Sequence, residues 1–336
     1  MNKENLLFNH EENPKTNDFP KSSFPVRFRP LPSANKGGEK WIAILFFGSV
    51  LLSVFLWVGG NLKNNSFNFK FPQKSEKIIP TLTPTPTPKT DQSIAVKNEI
   101  EKLTKNLKGR YGISVYNLTT KDGFGIKENE VFTAASINKL PVILTLYMEA
   151  EAGKIDLDSK YFLEAIDKRV GAGSMQYQKI GATYTYRQMA ELMGKQSDNT
   201  VFAALRRILT DQKIQQVINS LDMVKTSLEK SETSPADISL FFRKLYSGSI
   251  LKRENRDEIL SFLTKTNYET RIPAGVPQEI KVAHKIGSDI GVVGDAGIIF
   301  APKPYILVIL SSEVLESEAN LVLPKISKSV WDFENK

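Results

Sequence analysis

The chain has 336 residues, 41% of them hydrophobic, with no cysteine, two histidines and a formal net charge of +8. That apolar content supports an enzyme-sized core; the missing cysteines exclude thiol nucleophiles, thiolate metal sites and disulfides, and His10 and His284 are too few for a histidine-rich zinc site. Residues 1–93 carry 12 Lys and Arg against 7 Asp and Glu, so most of the surplus lies ahead of the folded part, and no basic stripe with interleaved aromatics argues for nucleic acid.

Residues 1–40, rich in Asn, Pro and Lys and without a sustained period, are expected to be a disordered cytoplasmic tail. WIAILFFGSVLLSVFLWV, residues 41–58, is 18 residues without a charge. As a helix it would rise about 27 Å, enough to cross a bilayer. Trp41 and Trp57 stand near its ends. Arg27, Arg29, Lys36 and Lys40 precede it, against Lys63 and Lys70 after it. A transmembrane helix over 41–60 is therefore expected, with the N-terminus cytoplasmic and the rest of the chain outside. The 40 preceding residues and the absence of an A-x-A site argue against a cleaved signal peptide. Residues 61–93 end in PTLTPTPTPKT, a Thr-Pro repeat suited to an extended, semi-rigid stalk. Residues 94–336 then form one folded domain.

Within that domain VKNEIEKLTKNLKG has helical spacing and a closing Gly109, and YGISVYNL, the KDG turn and FGIKENEVF read as a hairpin. PVILTLYMEAEAGK predicts a long apolar helix closed by Gly153. Thr185 and Gln188 form a capping box ahead of RQMAELMGK; Ser234, Pro235 and Asp237 supply a cap and first-turn proline ahead of another helix; RENRDEILSFL is helical. KVAHKIGSDIG, AGIIFAP and PYILVILSS read as strands, with a last helix over 319–333. Strands at both ends of the domain and helices between them predict an α/β two-lobe fold: a mostly antiparallel sheet flanked by helices, plus an inserted all-helical lobe.

The run AASINKL, residues 134–140, sets Ser136 and Lys139 one helical turn apart on one face. An unprotonated lysine beside a hydroxyl is a nucleophile with its base, and the near absence of histidine makes a lysine base more plausible. S-x-x-K alone is weak evidence, since it also starts at Ser33, Ser227 and Ser249. Two further motifs follow in order: S-D-N at Ser197, Asp198 and Asn199, and K-I-G at Lys285, Ile286 and Gly287.

Together, and with the flanking ENEVFTAASINKLPV, GAGSMQ, IPAGVP and GDAGIIF, these motifs resemble the penicillin-recognising serine enzymes, especially the class A β-lactamases. The resemblance covers nearly all of 94–336 and nothing before it. It implies Ser136 as nucleophile and Lys139 as base, with a pKa lowered by burial and by a cationic Lys285. Ser197 would relay a proton to the leaving nitrogen. Asn199 would hold the substrate's side-chain amide, the alternative being a plain helix cap. Gly287 would admit the substrate backbone beside the strand, and the N–H groups of Ser288 and Ser136 would form the oxyanion hole. His284, alternating with Lys285, is expected to pack rather than react.

Two departures from the family's pattern stand out. Ile286 replaces the usual Ser or Thr, whose hydroxyl helps bind the substrate carboxylate. The interval LDMVKTSLEKSETSPADI is about fifteen residues shorter than the family's loop; its T-x-L run places Glu232 where the deacylation base is expected. The expected activity is β-lactam hydrolysis through a Ser136 acyl-enzyme, by a monomer that needs no metal or organic cofactor. The alternatives are a D-Ala-D-Ala peptidase or penicillin-binding protein acting on the peptidoglycan stem peptide, and an acylated sensor.

Overall fold

The longest apolar alternations of the domain become its central strands. The computed structural model describes residues 89–336. The expected tail, the transmembrane segment 41–60 and the stalk up to 88 lie outside the described residues. Among the described residues no helix is long and apolar enough to cross a membrane.

Strands β1 (Arg110–Asn117), β2 (Gly123–Ile126), β7 (Val282–Asp289), β8 (Val292–Ile299) and β9 (Tyr305–Ser312) form one antiparallel sheet in the order β2-β1-β9-β8-β7. β9 lies in the middle and is buried on both faces, which is why its sequence is a continuous apolar run from Tyr305 to Leu310. One face, through Leu307 and Ile309, packs on helices α1 (Lys89–Thr104) and α8 (Glu316–Glu334) by way of Val96, Ile100, Val322 and Ile326. These contacts repeat every four residues, as one helical face requires. α1 begins at Lys89, inside the stretch expected to be stalk: the last proline of the repeat is Pro88, and beyond it nothing bars a helix.

The other face, through Ile306, Val308 and Leu310, meets the helical lobe. That lobe holds α2 (Lys139–Glu151), α3 (Tyr186–Lys195), α4 (Asn199–Leu209), α5 (Asp211–Ser220), α6 (Pro235–Ser247) and α7 (Arg253–Phe262). α2 is buried from Lys139 through Tyr147, so its sequence is apolar nearly all round. Truncating a side chain such as Leu144 there costs about 2 to 5 kcal/mol. The expected capping box is present: Gln188 N donates to Thr185 Oγ1 at 3.1 Å, and Thr185 N to Gln188 Oε1 at 2.9 Å. Asp237 N donates to Ser234 Oγ at 3.1 Å, capping α6 behind Pro235.

Two small sheets were not expected from the sequence. β3 (Phe132–Thr133) pairs with β6 (Glu232–Thr233), and β4 (Lys160–Phe162) with β5 (Thr183–Thr185). The first ties the short connection after α5 to the strand that leads into Ser136. Thr226 pins it further, its Oγ1 donating to Asp237 Oδ2 at 2.8 Å, while Leu228 N donates to Gln215 Oε1 at 3.0 Å.

Candidate active site

Ser136 sits in a single 3-10 turn, Ala135–Asn138, that runs straight into α2. Ala134 N donates to Ser231 O at 2.7 Å, fixing the start of the turn. Ala135, the residue before the nucleophile candidate, has φ +47°, and Ser197 has φ +56°. Left-handed conformations on residues with a Cβ cost roughly 1 to 3 kcal/mol and persist where the surroundings over-determine them. Two fall within one hydrogen-bonded cluster.

Lys139 is the centre of that cluster. Its Nζ donates to Ser136 Oγ at 3.0 Å, Ser197 Oγ at 3.1 Å, Ser197 O at 2.5 Å and Asn199 Oδ1 at 2.7 Å. The side chain is only 1% exposed. Burial lowers its pKa to about 8 against the opposing pull of Asp198. Lys285 is equally enclosed, and its Nζ finds one weak acceptor, Ile286 O at 3.3 Å. Burial, and after it the charge on Lys139, push the Lys285 pKa well below its ordinary value. Of the two causes expected for the lowered Lys139 pKa, burial is the one that acts, opposed by Asp198; Lys285 is itself lowered, by burial first and by the charge on Lys139 after it.

Asp198, not Asn199, caps α4. Its Oδ1 accepts from Val201 N at 3.0 Å and its Oδ2 from Met175 N at 2.8 Å. Asn199 is thereby free of capping duty: its Oδ1 accepts from Lys139 and its Nδ2 donates to Val170 O at 3.1 Å. Gly173 is obligatory behind this turn, with φ +95° and Asp198 Oδ2 only 2.1 Å from where a Cβ would stand.

Gly287 also needs its missing side chain, for a reason internal to the protein. A Cβ there would lie 2.8 Å from Ala134 O and 3.2 Å from Ile137 Cγ1, so the glycine lets the Ser136 turn approach β7. Ile286 is 7% exposed and supplies no hydroxyl to the site. Ser288 is exposed, and its Oγ accepts from Arg271 Nη2 at 2.7 Å. Arg271, which sequence reasoning missed, is 8% exposed and donates through Nη1 to Gly287 O at 2.9 Å and Gly294 O at 2.7 Å. The only sequence signal for it is its place at the head of RIPAGVP.

Glu232 is not brought into the cluster. Its backbone pairs with Thr133 and Ser227, its side chain is half-buried, and no hydrogen bond or ion pair joins it to Lys139 or Ser136. Neighbouring Asn138 leaves its buried Oδ1 without a partner while its Nδ2 donates to Ser231 Oγ at 3.2 Å. A second Lys-Ile-Gly run, Lys179–Gly181, lies on an exposed turn away from these residues. Among the described residues no group of three His, Asp or Glu side chains is gathered to hold a metal ion. The cluster presents a hydroxyl, a partly neutral amine in contact with it and a second hydroxyl on the same amine, which is the equipment for acyl transfer through a serine ester.

A model of the β-lactamase enzyme family matches residues 95–333. The chain belongs to the β-lactamase enzyme family. Among curated relatives, β-lactamase VEB-1 of Pseudomonas aeruginosa is 22% identical over 266 residues, covering 70% of this chain and 89% of that protein. β-Lactamase AST-1 of Nocardia asteroides is 27% identical over 175 residues, covering 46% and 56%. Among solved structures, a mutant of PBP-A captured as an acyl-enzyme complex with penicillin G superposes with a TM-score of 0.68 at 26% identity, over 74% of this chain and 97% of that one. A β-lactamase from Sphaerobacter thermophilus gives 0.67 at 23% identity, over 70% and 95%, a likeness of fold. The two-lobe arrangement expected from the order of strands and helices is the fold of this family.

Proposed function

We propose that the protein is a serine hydrolase that opens β-lactams through an acyl-enzyme on Ser136, held at a membrane by residues 41–58 with its domain outside the cytoplasm. The observation that carries the chemistry is the 3.0 Å contact of a buried Lys139 amine with the Ser136 hydroxyl. With a pKa of about 8, roughly one Lys139 in ten is neutral at pH 7, enough to serve as a base. Ser136 Oγ attacks the lactam carbonyl carbon as its proton passes to Lys139. The C–N bond then breaks, and the leaving nitrogen takes a proton through Ser197, whose hydroxyl contacts the same amine at 3.1 Å. Backbone N–H groups of Ser136 and Ser288 hold the oxyanion, and Asn199 positions the substrate amide. Water then hydrolyses the ester.

The position of Glu232 favours a second reading for the last step. Without a carboxylate on the Ser136–Lys139 pair, the acyl-enzyme forms readily and clears slowly, as suits a penicillin-binding enzyme whose own substrate is a D-Ala-D-Ala peptide. Intact-mass spectrometry of the full chain with penicillin G, beside Ser136→Ala, separates the readings. A Ser136-dependent adduct that clears with release of opened drug supports hydrolysis. A lasting adduct supports the penicillin-binding reading, and no adduct with any β-lactam overturns both.

A further inference from the structure

Ser197 is buried and has φ +56°, a conformation that persists only where its neighbours are fixed. Within the helical lobe, Asn199 N donates to Ala172 O at 3.0 Å and Lys139 Nζ to Ser197 O at 2.5 Å. The two residues just before Ser197 are held from outside that lobe. Asn267 N donates to Lys195 O at 3.0 Å, and Tyr268 Oη donates to Gln196 O at 3.1 Å. Lys195 reaches back, its Nζ donating to Ser261 O at 3.0 Å and to Thr264 O.

The segment that makes these bonds, residues 264–269, is anchored at its other side to β7. Thr264 bridges to Ala283, and His284 N donates to Leu263 O at 2.8 Å. The segment is also braced internally: Tyr268 N donates to Thr266 Oγ1 at 3.1 Å, and Thr266 N to Glu269 Oε1 at 2.6 Å. It therefore joins the strand carrying Lys285, Gly287 and Ser288 to the turn carrying Ser197. Tyr268 supplies a side-chain bond to that link, and Asn267 a backbone bond that Tyr268→Phe leaves in place. Tyr268 is half-buried; burial, and after it the charge on Asp198, raise its pKa, so its hydroxyl stays protonated and donates.

We infer that Tyr268 is a positioning residue for the proton delivered to the leaving group: by fixing Gln196 it keeps the Ser197 hydroxyl on the Lys139 amine. The inference rests on the reading of Ser136 as nucleophile and Ser197 as relay. It concerns one half of acylation only. Attack by Ser136 uses Lys139 directly, across 3.0 Å. As the lactam C–N bond then breaks, the nitrogen must take up a proton, which passes from Lys139 through Ser197. A thioester needs no such delivery, because its C–S bond breaks with the electron pair on sulfur and a thiolate departs.

The test compares single-turnover acylation of the full chain by penicillin G, read by intact mass, with acylation by a phenylacetylglycyl thioester, read by released thiol. The chain has no cysteine, so the protein adds no thiol background. We expect Tyr268→Phe to slow penicillin G about 5- to 10-fold and to leave the thioester within about twofold. Ser197→Ala should show the same split with a loss of about 100-fold or more on penicillin G, and adding Tyr268→Phe to it should cost about twofold or less further. Lys195→Met loosens the same segment from the opposite side; it should also slow penicillin G more than the thioester, and it decides the question if Tyr268→Phe does not fold. Equal losses on both substrates, no loss on either, or losses that multiply in the double variant would overturn the positioning role while leaving Ser136 as nucleophile. Failure of both substrates to acylate Ser136 would overturn the nucleophile itself, and the role of Tyr268 with it.

Discussion

Lys285 and His284 are neighbours on β7, both essentially excluded from solvent, and their environments drive them in opposite directions. Alternation turns them to opposite faces of the strand. His284 Nδ1 pairs with buried Asp295 Oδ1 at 2.8 Å, and its Nε2 lies 3.2 Å from Glu269 Oε1 and from Thr266 Oγ1. Burial opposes a charge there, but the two carboxylates outweigh it and raise the His284 pKa to about 9. Lys285 has equal burial and no carboxylate in contact, and beside it stands a second amine, Lys139. Burial lowers Lys285 with nothing in contact to oppose it, whereas at His284 the two carboxylates reverse its effect. The His284 side closes its hydrogen-bond account and holds the loop bearing Arg271, since Asp295 Oδ2 also accepts from Ile272 N at 2.9 Å. The Lys139 and Lys285 side is left with amines that give up protons easily, which is what acylation uses.

Breaking the reactive side gives the largest effect. Ser136→Ala should abolish covalent labelling by penicillin G, a loss of about 10,000-fold or more in acylation rate by stopped-flow or mass readout. Lys139→Met should cost about 100- to 10,000-fold, and Lys139→Arg should not rescue it, because a guanidinium stays charged. Far-UV circular dichroism separates this from unfolding.

Breaking the satisfied side should act on stability. Asp295→Asn strands a buried histidine and is expected to cost about 3 to 5 kcal/mol in urea unfolding near pH 6. Because the folded-state pKa of His284 lies above its unfolded value, the stabilisation is full below about pH 6.5 and is lost as pH rises through about 9. The gap between wild type and Asp295→Asn should therefore shrink across that window. A gap that is constant with pH would remove the charged histidine from the account. The smallest effect sharpens the comparison: Glu232→Gln should change deacylation by about threefold or less, where loss of a true general base would cost about 100-fold or more.

The parts of this comparison that are local were legible in the sequence. Ser136 and Lys139 are three residues apart, the Thr185 and Ser234 caps are four-residue motifs, and β9 announces itself by its apolar run. S-D-N fixed a turn, although the cap turned out to be Asp198 with Asn199 left for the site. What escaped was long-range or short. Arg271 reaches Gly287, Gly294 and Ser288, 16 to 23 residues away, and two of its partners are backbone carbonyls that carry no sequence signature. His284 was rightly set apart from Lys285, but its pairing with Asp295 depends on the register of β7 against β8. β3 and β6 have two residues each, too few to show an alternation. Glu232 matched by counting, but a matched position does not fix a side chain's contacts once the loop around it has shortened.

The central claim is that acylation depends on a neutral Lys139, and the direct measurement is the single-turnover rate of Ser136 acylation by penicillin G from pH 5.5 to 10. The rate should climb about tenfold per pH unit at the acid end and level off above an apparent pKa of about 8, with no such rise in Lys139→Met. A rate that is flat across the range, or that keeps climbing toward the ordinary lysine pKa, would contradict a base made by burial.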